Sequence, residues 1–183
     1  MRNIRQLTRL LSYMTHRRIN AFWLVALVFL TVPWLFKGCQ NNPSLVSADE
    51  CLVERISDGD TATLRCAGER VRVRYYCIDA PEMSQEPWGT RARDYAREIT
   101  GRTVRLVRHD TDRYGRTIGT IYTLEGVNTN LELVRTGHAA VYPKYYRDPA
   151  YYATERQARA VQAGIWGLSG DHQRPWEYRA ARR

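Results

Sequence analysis

Three short stretches of this 183-residue chain carry side chains suited to one chemistry: Asp58-Gly59-Asp60-Thr61, Arg74 through Glu82 (RYYCIDAPE) and Asp112 through Arg116 (DRYGR). A phosphodiester attacked by water gathers negative charge on its equatorial oxygens. Its cleavage needs a hard cation, fixed guanidinium groups and something to orient or deprotonate the water. Asp60, Asp79 and Glu82, with Arg74 and Arg116, are the residue types for those tasks. Two carboxylates completed by a backbone carbonyl and waters suit an oxygen-seeking ion such as Ca²⁺ or Mg²⁺ better than zinc. Asp58 precedes a glycine and reads first as turn chemistry, whereas Asp60 follows the turn and is free to be a ligand. Arg74 lies between apolar neighbours in a strand pattern, where a charge is costly unless carboxylate or phosphate pairs it.

The elements that must position these groups follow from periodicity. Residues 51–57 and 60–66 are strand-like runs joined by Asp58-Gly59, a two-residue hairpin signal. Residues 71–78 alternate Val71, Val73, Tyr75 and Cys77 against Arg72, Arg74 and Tyr76, the period of a half-buried strand. Trp88, Ala92, Tyr95, Ala96 and Ile99 recur at helical spacing over 87–99 until Gly101. Residues 103–109 and 116–123 read as two further strands, and 127–136 and 149–163 as helices, the last capped by Asp148-Pro149 and ended by Gly164. The order predicts an α+β, barrel-dominated domain: a five-stranded Greek-key barrel of OB type with three helices, preceded by one transmembrane helix. Adjacent strand ends then bring Asp60 and Asp79 together.

The transmembrane expectation rests on Ala21 to Phe36, about sixteen uncharged residues preceded by Arg2, Arg5, Arg9, Arg17 and Arg18 with no acidic residue among them. Such a run spans roughly 24 Å as a helix, a little short of the hydrocarbon core, with Trp23 and Trp34 near its ends. The arginines set the N-terminus in the cytoplasm and send the rest across the membrane, periplasmic or extracellular. A cleaved signal peptide, with Val46-Ser47-Ala48 as its small-residue site, and a buried apolar helix are the competing readings. The boundaries read as 1–20 basic arm, 21–36 anchor, 37–49 tether, 50–168 catalytic domain and 169–183 basic tail. Beyond Lys37 the charge is nearly balanced, 22 basic against 19 acidic residues, so net charge of +9 says little about partners. Arg113, Arg116, Lys144 and Arg147 are placed to line a groove. Four cysteines show no metal-binding spacing. Cys51 and Cys66 are equidistant from the hairpin turn, which sets them opposite one another as either a disulfide or two buried thiols, with Cys77 free.

In chain order DGDT, R…IDAPE, D-x-YGR, LVRTGHA (Leu133 to Ala139) and E-x-x-A-R…GIW (Glu155 to Trp166), the sequence from about 51 to 168 resembles the staphylococcal nuclease, or thermonuclease, family. The resemblance implies a Ca²⁺-dependent hydrolase of DNA and RNA that leaves 3′-phosphate ends. It assigns Asp60, Asp79 and the carbonyl of Ala80 to the metal, Glu82 to the attacking water, and Arg74 and Arg116 to the scissile phosphate. Tyr114 and Arg113 match nucleotide contacts. Tyr142, Tyr145 and Tyr146 fall where the family has its base-stacking aromatic, with Pro143 breaking the register. Cys77 stands where glycine is common, and the loop after Glu82 is short. The alternatives are a catalytically silent nucleic-acid- or protein-binding module, and a membrane-bound assembly protein docking through Arg174, Arg179, Arg182 and Arg183.

Overall fold

The computed structural model describes residues 49–144 and 148–182. The basic arm, Ala21–Phe36, Val46-Ser47-Ala48, Tyr145, Tyr146, Arg147 and Arg183 lie outside the described residues. Among the described residues no helix is long and apolar enough to cross a membrane.

Alternation and capping produce β1 (Asp49–Ile56), β2 (Thr61–Cys66), β3 (Glu69–Tyr75), β4 (Ile78–Asp79), α1 (Trp88–Thr100), β5 (Thr103–Thr111), β6 (Thr117–Thr123), α2 (Thr129–Arg135), β7 (Ala140–Val141), α3 (Pro149–Ala160) and α4 (Pro175–Ala180). Short 3-10 turns occupy Gly164–Trp166 and Asp171–Gln173. Five strands close a barrel in the order β1-β2-β3-β6-β5, as an OB-type Greek key requires. Its one parallel contact is β3 against β6. Val71, Val73 and Tyr75 turn inward with Leu64, Val104, Leu106 and Ile121, while Arg72 faces out. α1 lays Gly89, Ala92 and Ala96 on this core, and small side chains there permit close approach. Asn130 on α2 is fully buried. Its Oδ1 accepts from the Ile121 N–H at 3.2 Å, and its Nδ2 donates to the carbonyls of Tyr76 (3.2 Å) and Gly119 (3.1 Å), tying α2 to the β3–β6 seam.

The connection between β1 and β2 is longer than a two-residue hairpin. β1 ends at Ile56 and β2 begins at Thr61, so 57–60 form a four-residue connection. A bulge between Val53 and Arg55 shifts the register by one residue, which returns Cys51 to a position opposite Cys66. The two cysteines are joined by a disulfide, and Cys77 is a buried free thiol. Gly59 answers a packing demand instead of a left-handed turn: a Cβ there would lie 2.6 Å from Ala80 Cβ and 2.7 Å from Ala92 Cβ.

β3 stops at Tyr75, short of residue 78, because Tyr76 and Cys77 turn the chain, with Cys77 at φ 64°. That left-handed backbone is one that glycine adopts without steric cost. The chain re-emerges as β4, which pairs with β7 so that Asp79 sits opposite Ala140. α2 begins two residues later than 127, where the Asn128 side chain accepts from the Leu131 N–H. α3 is capped by Asp148 and ends at Ala160, three residues early, as Gln162 takes φ 54°. The segment after Gly167, read from sequence as a basic tail, forms the Asp171–Gln173 turn and α4.

Candidate active site

The loop after β1 and the β4 strand meet at one end of the barrel, and this junction assembles the acidic pair. Asp60 Oδ2 accepts from the Ala80 N–H at 2.7 Å, locking the two segments together. The Arg74 guanidinium, projecting from the end of β3, spans both carboxylates, with Nη1 3.1 Å from Asp60 Oδ2 and Nη2 2.5 Å from Asp79 Oδ1. Arg74 Nη1 also donates to the Ile78 carbonyl at 2.9 Å. Its charge is therefore paired, as its strand position demanded. Asp79 is fully buried and Asp60 nearly so. Asp58 Oδ1 accepts from the Asp60 N–H at 3.0 Å, the Asx turn that its place before glycine predicted.

A cavity of about 550 Å³ is lined by Asp60, Arg74, Glu82, Arg113, Tyr114, Arg116 and Tyr142, while Asp79 lies buried behind Arg74 and does not line it. Arg116 is aimed by its own turn. Asp112 Oδ1 accepts from the N–H groups of Tyr114 and Arg116, both at 2.9 Å, and Oδ2 accepts from Arg116 Nε at 2.7 Å. Gly115 at φ 73° permits the reversal. Tyr114 is 63% exposed, with the Arg113 guanidinium 4.9 Å and the Arg116 guanidinium 5.8 Å from its ring centre. Tyr142 packs toward Trp176, ring centres 5.8 Å apart, and Tyr145 lies outside the described residues.

The site crowds negative charge. Burial, and then the neighbouring Asp60 charge, push Asp58 up to about 7 and Asp79 up to about 6, against the pull of Arg74. Asp112 goes the other way: burial raises it, but its hydrogen bonds from Arg116 and Tyr114 outweigh that and hold it below the usual carboxylate range. Among the described residues no group of three or more His, Cys, Asp or Glu side chains is arranged for a metal. What the site offers is two carboxylates bridged by Arg74, with Arg179 also on Asp79 and the Ala80 N–H on Asp60. That set fits a hard cation completed by water and does not fit zinc.

Two residues here had no role in this site from the sequence, Arg179 being read only as part of a basic docking tail. Asp112 opens the DRYGR motif, and its role as the clip for Arg116 is visible only in the turn. Arg179, on α4, reaches in from the C-terminal segment. Its Nη2 lies 2.9 Å from Asp79 Oδ2 and 3.1 Å from Oδ1, and its Nη1 2.6 Å from Glu82 Oε1. The only signal in sequence was Pro175-Trp176, a helix-starting proline followed by an aromatic anchor.

The Staphylococcal nuclease homologue family matches residues 72–167. The chain is 37% identical over 128 residues to an uncharacterized endonuclease of Escherichia coli O157:H7, covering 69% of this chain and 82% of that protein. It is 36% identical over 141 residues to a micrococcal nuclease of Shigella flexneri, covering 70% and 79%. With an uncharacterized endonuclease of Haemophilus influenzae it shares 39% identity over 118 residues, covering 63% and 65%. The barrel, the order of the motifs along it and these likenesses agree, and the chain belongs to the staphylococcal nuclease family.

Proposed function

We propose that this protein is a cation-dependent nuclease, using Ca²⁺ by preference, that hydrolyses DNA or RNA to products with 3′-phosphate ends. One observation carries the reading: the Arg74 guanidinium bridges Asp60 and the buried Asp79, and Arg74 and Asp60 line one cavity together with Glu82 and Arg116. Asp60, Asp79 and the Ala80 carbonyl would hold the cation, which when bound polarises a phosphoryl oxygen. Glu82 orients the attacking water and takes its proton. The new P–O bond forms in line as the bond to the 5′ oxygen breaks, and that oxygen is reprotonated by solvent. Arg116 and Arg74, which both line the cavity, neutralise the charge that builds on the equatorial oxygens. Tyr114 and Tyr142 flank the cavity where bases would stack.

We also propose that the domain works outside the cytoplasm, tethered by residues 21–36. The motivation is the arginine-flanked apolar run together with a disulfide, which persists in oxidising compartments. A reporter fused after Ala48 and read on each side of the membrane tests this orientation.

The decisive experiment incubates single-stranded DNA and RNA with the purified protein in Ca²⁺, in EDTA, and with the Glu82→Gln variant. Ca²⁺-dependent cleavage giving 3′-phosphates, reduced at least about a hundredfold in the variant, is the expected result. A folded protein that binds nucleic acid but leaves it intact in Ca²⁺, Mg²⁺ and Mn²⁺ would instead make it a binding module.

A further inference from the structure

We propose that Arg179 is a positioning residue for Glu82, so that the hydrolytic site is incomplete without the C-terminal segment beyond the family match. This inference rests on the nuclease reading above.

Glu82 sits in the irregular loop between β4 and α1, where neither a strand nor a helix fixes its side chain. A carboxylate that must hold water in line gains from being held within a fraction of an ångström. Among the described residues its carboxylate has one partner, Arg179 Nη1 at 2.6 Å. The same planar guanidinium bonds Asp79 through Nη2. A single rigid fork thereby sets the spacing between Asp79 and Glu82, which lysine cannot reproduce.

The segment carrying Arg179 is docked, and it docks on the Glu82 loop itself. α4 has six residues, too few to be stable alone. The His172 ring stacks on Trp88 with centres 4.5 Å apart, and His172 Nε2 lies 3.1 Å from the Ile165 carbonyl and 3.0 Å from that of Leu168. Gln85 Nε2 donates to Asp171 Oδ1 at 3.3 Å, and the Ser84 and Tyr178 hydroxyls are 2.9 Å apart. Gln85 is buried and also accepts from the Glu82 N–H through Oε1 at 2.9 Å. Ser84, Gln85 and Trp88 thus join the loop to the segment around Arg179. A charge paired by chance at the surface would not come with this brace.

The test compares full-length wild type with Arg179→Ala and Arg179→Lys. Two readouts are taken: steady-state cleavage, and amide hydrogen exchange over residues 80–88 without cation or substrate. Expected for Arg179→Ala are a kcat lower by at least about tenfold with KM within about threefold, faster exchange in 80–88 with β1–β3 unchanged, and partial restoration of kcat by millimolar free guanidinium. Arg179→Lys should restore less than guanidinium does, because an ammonium cannot span both carboxylates. An unchanged or raised kcat in Arg179→Ala beside an active wild type would overturn the positioning role alone, a raised kcat marking the contact as inhibitory. Unchanged exchange over 80–88 would overturn the brace. A wild type that cleaves nothing defeats the nuclease reading instead, and the exchange result then still decides whether Arg179 orders the loop.

Discussion

Asp112 holds Arg116 at two points, Oδ1 on its backbone N–H at 2.9 Å and Oδ2 on its Nε at 2.7 Å. Nε is thereby taken, and Arg116 lines the cavity. The guanidinium is aimed before any substrate arrives, so no ordering entropy has to be lost in the transition state. Arg116→Ala should lower kcat at least about a hundredfold, and Asp112→Ala, which leaves the charge but frees it, about tenfold. In the double variant the two losses should not add, because Asp112 acts through Arg116. Additive losses would give Asp112 a separate role.

The carboxylate crowding makes stability depend on pH. Folded Asp58 keeps its proton up to about 7, whereas the unfolded chain releases it near 3.8. Between those values the folded state binds more protons, so this contribution is full below the unfolded value and is lost as pH rises. Asp79, raised to about 6, acts in the same direction. In EDTA, the melting temperature should therefore fall as pH rises from about 4 to about 7, and Asp58→Asn should flatten part of that fall. Identical slopes for the two proteins would remove Asp58 as the cause.

Sequence patterning was informative where elements are long and residues interact locally. Val71, Val73 and Tyr75 announce β3 by alternation, and Asp148-Pro149 announces the start of α3. β4 and β7 have two residues each and carry no period, although their pairing is what seats Asp79. Asp60, Arg74, Asp79, Glu82 and Arg116 were named from their motifs, and the structure gathers Asp60, Arg74, Glu82 and Arg116 around one cavity with Asp79 paired to Arg74 behind it. Arg179 was not, since its partner Glu82 is 97 residues away and one more arginine in a basic tail looks like solvated surface. Gly59 was legible for the wrong reason: the sequence suggests a tight turn, and the structure has a close contact.

The disulfide links β1 to β2 across a sequence separation of 15 and closes the loop that presents Asp60. Loop-closure entropy of that length corresponds to about 3 kcal/mol. Chemical unfolding of the reduced protein, or of Cys51→Ser, should show a loss of about that size. Because the barrel still pairs β1 with both β2 and β5, the fold should survive in the absence of denaturant. Equal stability of reduced and oxidised protein would mean that the link adds nothing to what the strands already hold.

Gly59 is where stability and cation binding should fail together. Its Cα faces Ala80 and Ala92, and the Cβ of an alanine would stand 2.6 Å and 2.7 Å from their Cβ atoms, with no flexible side-chain end to give way. Ala92 is fixed in α1 against the core and Ala80 follows directly on β4, which pairs with β7, so the strain is relieved by moving the 57–60 loop outward. Gly59→Ala should cost about 1–3 kcal/mol as overpacking. The same displacement pulls Asp60 away from Asp79, so Ca²⁺ affinity followed by titration calorimetry should weaken at least about tenfold, far more than an equally destabilising change on the opposite side of the barrel would cause. A destabilised variant that binds Ca²⁺ as the wild type does would show that Asp60 is held by β2 and not by the packing of its loop.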